Sequence, residues 1–85
     1  MKVQIEVPDF EGALYLNWEP GFKISAKMGM GNNVIISSNR AGLISMARHL
    51  LLLAQPAVSI GHHYHFDSSN SLEKGSVELI IEKIE

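Results

Sequence analysis

The stretch SNRAGLISMARHLLLLA, residues 38–54, decides the fold class, because it combines a helix start signal, a helical periodicity and a nearby stop signal. Asn39 offers a side-chain oxygen that can cap the free backbone N–H groups of a first helical turn. Pro56, which cannot continue a helix, lies just beyond the last apolar residue of the stretch. We therefore predict one amphipathic helix from about Asn39 to Ala54.

The periodicity divides the predicted helix into a core face and a solvent face. The residues assigned to the core face are Leu43, Met46, Ala47, Leu50, Leu53 and Ala54. Ala41, Ser45, Arg48 and Leu52 fall on the opposite side. Leu52 is therefore predicted to be an apolar residue exposed to solvent. Such residues, when clustered, mark interaction surfaces.

Alternation of apolar and polar residues predicts strands on both sides of this helix. Such runs occur at residues 3–7, 14–18, 22–28, 34–36, 57–67 and 77–84. Residues 29–33, rich in Gly and Asn, read as a hairpin loop. Short connections favour antiparallel neighbours. The predicted fold is α+β, in the order ββββαββ. One amphipathic helix packs on one face of a mostly antiparallel sheet of about six strands.

Composition limits the chain to one small domain, residues 1–85, with a thin core. Hydrophobic residues make up 46% of the sequence, which is enough to pack such a core. The net charge of −2, from 7 basic and 9 acidic side chains, argues against a nucleic-acid partner. The longest apolar run, residues 50–54, is far below the roughly 20 residues that span a bilayer, so no membrane association is expected.

The absence of cysteine excludes disulfides and thiolate zinc sites, and it suits a reducing compartment. The polar and apolar residues of the N-terminus alternate and do not form the apolar core of a secretory signal. We therefore expect a cytoplasmic protein.

A histidine-rich strand is the main candidate for chemistry. His63, His65 and Asp67 recur at every second residue, so one strand face would present two imidazoles and a carboxylate. Divalent metals accept this ligand set, and an open coordination position could activate a water molecule. His49 and Glu78 would join the set only if the fold brought them close. The alternative is a polar outer face without a ligand, and in that case no cofactor is expected.

The sequence favours a binding protein over an enzyme, because no nucleophile is paired convincingly with a base. Ser59 shares the face of His63 and His65, but a single serine does not define a catalytic site. Exposed Ile80 and Ile84 indicate an interface, and a fringe of glutamates could face a basic partner. The candidate partner-binding residues are His63, His65, Asp67, Glu78, Glu82 and Leu52. A self-association module, including a homodimer, is a further alternative.

Several segments together resemble one protein family. They are Ser38-Asn39-Arg40-Ala41-Gly42-Leu43, Ala47-Arg48-His49-Leu50 with Leu53-Ala54, Gly61-x-His63-x-His65-x-Asp67, and Leu72-Glu73-x-Gly75-Ser76-x-Glu78-Leu79-Ile80-Ile81-Glu82. They resemble a small bacterial family of predicted immunity proteins from polymorphic toxin systems, mainly over residues 38–82. The resemblance implies a cytoplasmic protein that binds a cognate toxin and blocks it. It marks Asn39, Gly42, His63, His65 and Glu78 as family positions, and Phe66 departs from an expected aliphatic residue.

Overall fold

The computed structural model describes residues 1–85 and contains one helix and four strands. In chain order these are β1 (Ile24–Met28), β2 (Val34–Ser38), α1 (Arg40–Leu53), β3 (His63–Phe66) and β4 (Leu79–Glu82). β1 pairs with β2 and β3 pairs with β4, both antiparallel, which gives two two-stranded sheets. The α+β class is confirmed. The predicted order ββββαββ and the single sheet of about six strands are wrong, because residues 1–22 contain no strand.

The two hairpins are joined through the segment that precedes β4. The backbone N–H of Glu73 donates to Ile24 O at 2.8 Å, and that of Val77 donates to Ala26 O at 2.7 Å. Residues 73–77 therefore cover the edge of β1 that β2 leaves free. This arrangement makes β2 and β3 the outermost strands of the hydrogen-bonded array.

The start of α1 is fixed to β1 by one side chain. Asn39 Oδ1 accepts hydrogen bonds from Gly42 N–H at 2.9 Å and from Lys23 N–H at 3.0 Å. A Cβ on Gly42 would lie 2.8 Å from Lys23 O, so only glycine allows this close approach. The predicted helix and its Asn39 cap are confirmed. At 14 residues, α1 lacks the length and hydrophobicity that crossing a membrane requires.

The prediction of which helix face is buried was wrong. The buried positions of α1 are Gly42, Ser45, His49, Leu52 and Leu53. Leu52, predicted to be solvent-exposed, has only 5% of its surface accessible, whereas Leu43 is 58% exposed. Of the predicted core stripe, Leu53 is buried and Met46 packs partly against the core. The helix is thus rotated so that a mixed polar and apolar face points inward.

The cause of this rotation is an N-terminal segment, residues 1–22, that packs against α1 without forming strands. Its backbone N–H groups donate to helix side chains, at Asn17 to His49 Nε2 (2.9 Å) and at Glu19 to Ser45 Oγ (2.8 Å). Just past the helix, Gln55 accepts from Phe10 N–H at 3.0 Å. The alternating residues of this segment predicted strands, but its backbone N–H groups donate to side chains and not to a neighbouring strand.

His49 lies at the centre of an aromatic core in a single tautomer. Asn17 N–H can only donate to Nε2 and Ser45 O can only accept, so Nδ1 carries the proton of its 2.6 Å contact with Ser45 O. The rings of Trp18, Tyr64 and Phe66 surround the imidazole, with centroids 4.5–5.4 Å away. Both ring nitrogens are therefore satisfied only while His49 is neutral.

Replacing Leu52 tests the orientation of α1. Because its side chain is buried, Leu52→Ala should lower the free energy of unfolding by about 2–5 kcal/mol in urea titrations. The matched variant Leu43→Ala, at an exposed position of the same helix, should change it by less than about 1 kcal/mol. Equal losses in the two variants would contradict the observed helix face.

Acidification should destabilise the fold through His49. Burial, the largest cause, and the neighbouring Arg48 charge hold the pKa of His49 below its ordinary value of 6.5, against the raising effect of its hydrogen bond to Ser45. Between the lowered pKa and 6.5, His49 is therefore protonated in the unfolded chain but neutral in the folded chain. The stabilisation is fully present above pH 6.5 and is lost as the pH falls toward the lowered pKa.

Urea titrations at about pH 7.5 and about pH 5.5 measure this effect, with a slope of at most about 1.4 kcal/mol per pH unit. The loss should shrink in His49→Gln, which cannot titrate, and persist in His63→Ala, which alters an exposed imidazole. An identical pH dependence in the parent chain and His49→Gln would contradict the assignment.

Candidate functional site

The outer face of the β3–β4 hairpin gathers most of the candidate residues. Strand alternation buries Tyr64 and Phe66 against the core and leaves His63 and His65 exposed on the other side. The register places His63 opposite Glu82 and His65 opposite Ile80. We call this surface the His–Glu face; its members are His63, His65, Asp67, Glu78, Ile80 and Glu82. All except Asp67, which is half-buried, are exposed.

Three side chains of the His–Glu face converge. The Nε2 atom of His65 lies 3.1 Å from Glu78 Oε1 and 3.5 Å from Asp67 Oδ2. One ligand atom from each of the three residues lies within 4.8 Å of the others. Sequence periodicity predicts that His65 and Asp67 share a face. Only the pairing of β3 with β4 brings Glu78 to the same point.

The carboxylate of Asp67 is held in place by the turn that follows β3. Its Oδ1 atom accepts hydrogen bonds from the Ser69 hydroxyl at 2.9 Å, from Ser69 N–H at 2.9 Å and from Asn70 N–H at 3.1 Å. These bonds, that of the Ser69 hydroxyl first, hold the pKa of Asp67 below its ordinary value. Asp67 is therefore ionised at neutral pH, and its Oδ2 atom is left to face His65.

His63 points outward beside the cluster but does not belong to it. Its Nδ1 atom contacts Gly61 O at 3.2 Å, and its strand neighbour is Glu82. Of the predicted trio His63, His65 and Asp67, the fold therefore brings together the last two and replaces His63 with Glu78. His49, the other possible ligand considered from the sequence, is buried in the core.

Leu52 does not contribute to this surface, because it is buried in the core beneath α1. Its prediction as a partner-binding residue is therefore corrected. Lys83, which follows Glu82 in the chain, directs its Nζ atom to Gln55 O, to which it donates at 2.7 Å. The His–Glu face thus combines carboxylates and imidazoles with the exposed side chain of Ile80, and Ile84, also exposed, follows two residues after Glu82.

A second pair on this hairpin has the residue types of a nucleophile and a base. Ser59 Oγ lies 3.1 Å from His62 Nδ1, which also lies 3.1 Å from Ser59 O. The contacts of His62 include the edge of the Phe10 ring and no carboxylate. An acid that orients the imidazole and stabilises its protonated form, the third part of a hydrolytic triad, is thus missing. The geometry is that of a local turn.

Comparison with known proteins gives one match. A family model described as Immunity protein 32 matches residues 33–84, which is more than half of the chain. The matched region begins at β2 and includes α1 and the whole His–Glu face. No curated protein and no solved structure was found to match the chain.

Proposed function

The chain belongs to the Immunity protein 32 family, and we propose that it binds a protein toxin and neutralises it through direct contacts, without catalysis of its own. The family match is the observation that carries this proposal. The single Ser–His contact without an acid partner agrees with a non-enzymatic role. The absence of cysteine fits action in the cytoplasm.

We assign the toxin-binding surface to the His–Glu face. Glu78 and Glu82 extend the charge of Asp67 along one side of the hairpin. Ile80, which is 59% exposed, lies between them and offers apolar area. A surface of this kind fits a partner with basic residues around an apolar contact, because complementary charge speeds encounter and suppresses wrong partners.

Charge reversal on this face tests the proposal once a cognate toxin is in hand, sought first among the products of neighbouring genes. Co-expression with the unaltered chain should restore growth, and calorimetry should give a stoichiometric complex. Glu78→Lys combined with Glu82→Lys should weaken binding by at least about 100-fold, because like charges at an interface cost several kcal/mol. Glu11→Lys reverses an exposed carboxylate of the N-terminal segment that is not a member of the face, and this variant should bind within about twofold of the unaltered chain.

The possible outcomes test the proposed function and the assigned binding surface separately. No binding and no protection by the unaltered chain would overturn the function. Full binding by the Glu78→Lys/Glu82→Lys variant, together with protection, would overturn only the assigned surface.

A second candidate function is divalent metal binding, favoured by the convergence of His65, Asp67 and Glu78. Ligand atoms around a tetrahedral zinc ion at about 2.1 Å stand roughly 3.4 Å apart. The 3.1 Å and 3.5 Å contacts of His65 Nε2 are close to this value. The hydrogen bonds that fix Asp67 Oδ1 would orient the carboxylate, as partners around metal ligands do. Each of these side chains is partly exposed, so water would complete the coordination.

Zinc titration by calorimetry tests this second candidate. The unaltered chain should bind one equivalent, and His65→Ala should abolish binding. His63→Ala, which removes an imidazole from the same strand face outside the cluster, should retain it. An absence of stoichiometric binding, or equal loss in both variants, would refute a site at this cluster.

A further inference from the structure

β2 is an exposed edge strand without the usual protection. Its residues from Val34 to Ser37 are all exposed, and Val34, Ile35 and Ile36 are 46%, 54% and 50% accessible. The strand has no charge and no proline, and its register with β1 is continuous, without a bulge. Natural proteins protect free edges with these devices or cover them, because unpaired strands recruit other strands.

The free edge of β2 also presents unpaired backbone groups. Hydrogen bonds from Gly29 N–H to Asn33 O and from Asn39 N–H to Lys23 O close the β1–β2 ladder at its two ends. Bonded positions alternate in an antiparallel pair, so Ile35 bonds to β1 while Val34 and Ile36 direct their N–H and C=O groups outward. Nothing else in the chain pairs with these outward groups.

The other edges of the array are covered in part or carry polar side chains. Residues 73–77 pair with the second edge of β1 through the bonds to Ile24 O and Ala26 O. On β3, Asn70 Nδ2 donates to His65 O at 2.9 Å, and the outward side chains of this strand are polar histidines. The edge that combines unpaired backbone groups with exposed apolar side chains is therefore that of β2.

We propose that β2 pairs edge to edge with β2 of a second copy of this chain, antiparallel about a two-fold axis at Ile35. In this register the two Ile35 residues lie opposite each other. Val34 of each copy lies opposite Ile36 of the other copy. Every apolar side chain of the strand then meets another apolar side chain. Because β2 carries no charged residue, the pairing sets no like charges against each other. The edge is therefore self-complementary, as a two-fold interface requires.

The surroundings of β2 add exposed apolar surface to the edge. A stable interface buries about 800 Å² on each partner, and the chain exposes 6009 Å². The hairpin that carries β2 holds the densest group of exposed large apolar residues in the chain: Met28, Met30, Val34, Ile35 and Ile36. The pairing would place Val34, Ile35 and Ile36 directly beside the new backbone hydrogen bonds.

The dimer edge and the His–Glu face lie at opposite ends of the array, since β2 and β3 are its outermost strands. Dimerisation therefore leaves both His–Glu faces free, and it does not depend on the proposed function. A pair of chains would present two toxin-binding surfaces.

Cysteine cross-linking tests both the partner and the register, because the natural chain has no cysteine. Two Ile35 residues at the axis form a non-hydrogen-bonded pair with Cα atoms about 4.5 Å apart, within disulfide reach. Ile35→Cys should therefore form a disulfide-linked dimer under mild oxidation. Ser37→Cys is the matched control on the same strand face. Its two copies would stand about 14 Å apart, so it should stay monomeric on a non-reducing gel.

Sedimentation velocity on the unaltered chain should show a dimer. Ile35→Asp sets two carboxylates against each other and should give a monomer with an unchanged circular dichroism spectrum, while Ile80→Asp, at an exposed position of the other hairpin, should remain dimeric. A monomer at all concentrations, or equal cross-linking of Ile35→Cys and Ser37→Cys, would overturn the proposal. It would also be overturned if β2 paired only with a strand of the toxin.

Discussion

The fold depends on one set of hydrogen bonds between α1 and the N-terminal segment, in which each element both donates and accepts. That segment contains no strand, so its backbone N–H groups need other acceptors. Ser45 and His49 on the buried face of the helix supply two of them, and Gln55 supplies a third. Arg48 adds donors to the carbonyls of Glu6 and Asn17 and pairs with the Glu19 carboxylate. The neutral imidazole of His49 is the most constrained of these partners, because it is also enclosed by aromatic rings.

This set of hydrogen bonds determines where the apolar surface of the molecule goes. Turning Ser45 and His49 inward carries Leu52 into the core and turns Leu43 and Leu50 outward. The helix thus stabilises the N-terminal segment while leaving part of its apolar stripe uncovered. The apolar residues of the β1–β2 hairpin are also exposed. The chain therefore has more apolar surface than its small core can bury. Proteins with such surfaces commonly use them in association.

The two ends of the hydrogen-bonded array differ in chemistry. At β3 and β4 the outer face is polar and acidic, and hydrogen bonds from Ser69 and Asn70 hold the carboxylate of Asp67 in place. At β2 the edge is apolar and uncharged. Charged groups favour specific and rapid recognition of another protein. An uncharged strand edge can instead pair with the same edge of a second copy without charge repulsion. The separation of these surfaces would allow one small chain to bind a toxin and a second copy without competition.

The sequence by itself determined the helix, its Asn39 cap, the β1–β2 hairpin, the inward and outward faces of β3 and β4, and the family resemblance. These features depend on local capping, turn chemistry and two-residue alternation, which act over a few neighbouring residues. Only the tertiary structure decided which helix face is buried, why residues 1–22 form no strand, and that Glu78 and not His63 joins His65 and Asp67. Each of these depends on a partner far along the chain. Periodicity shows which residues share one face of a helix or strand. It does not show which of these faces a distant segment of the chain will cover.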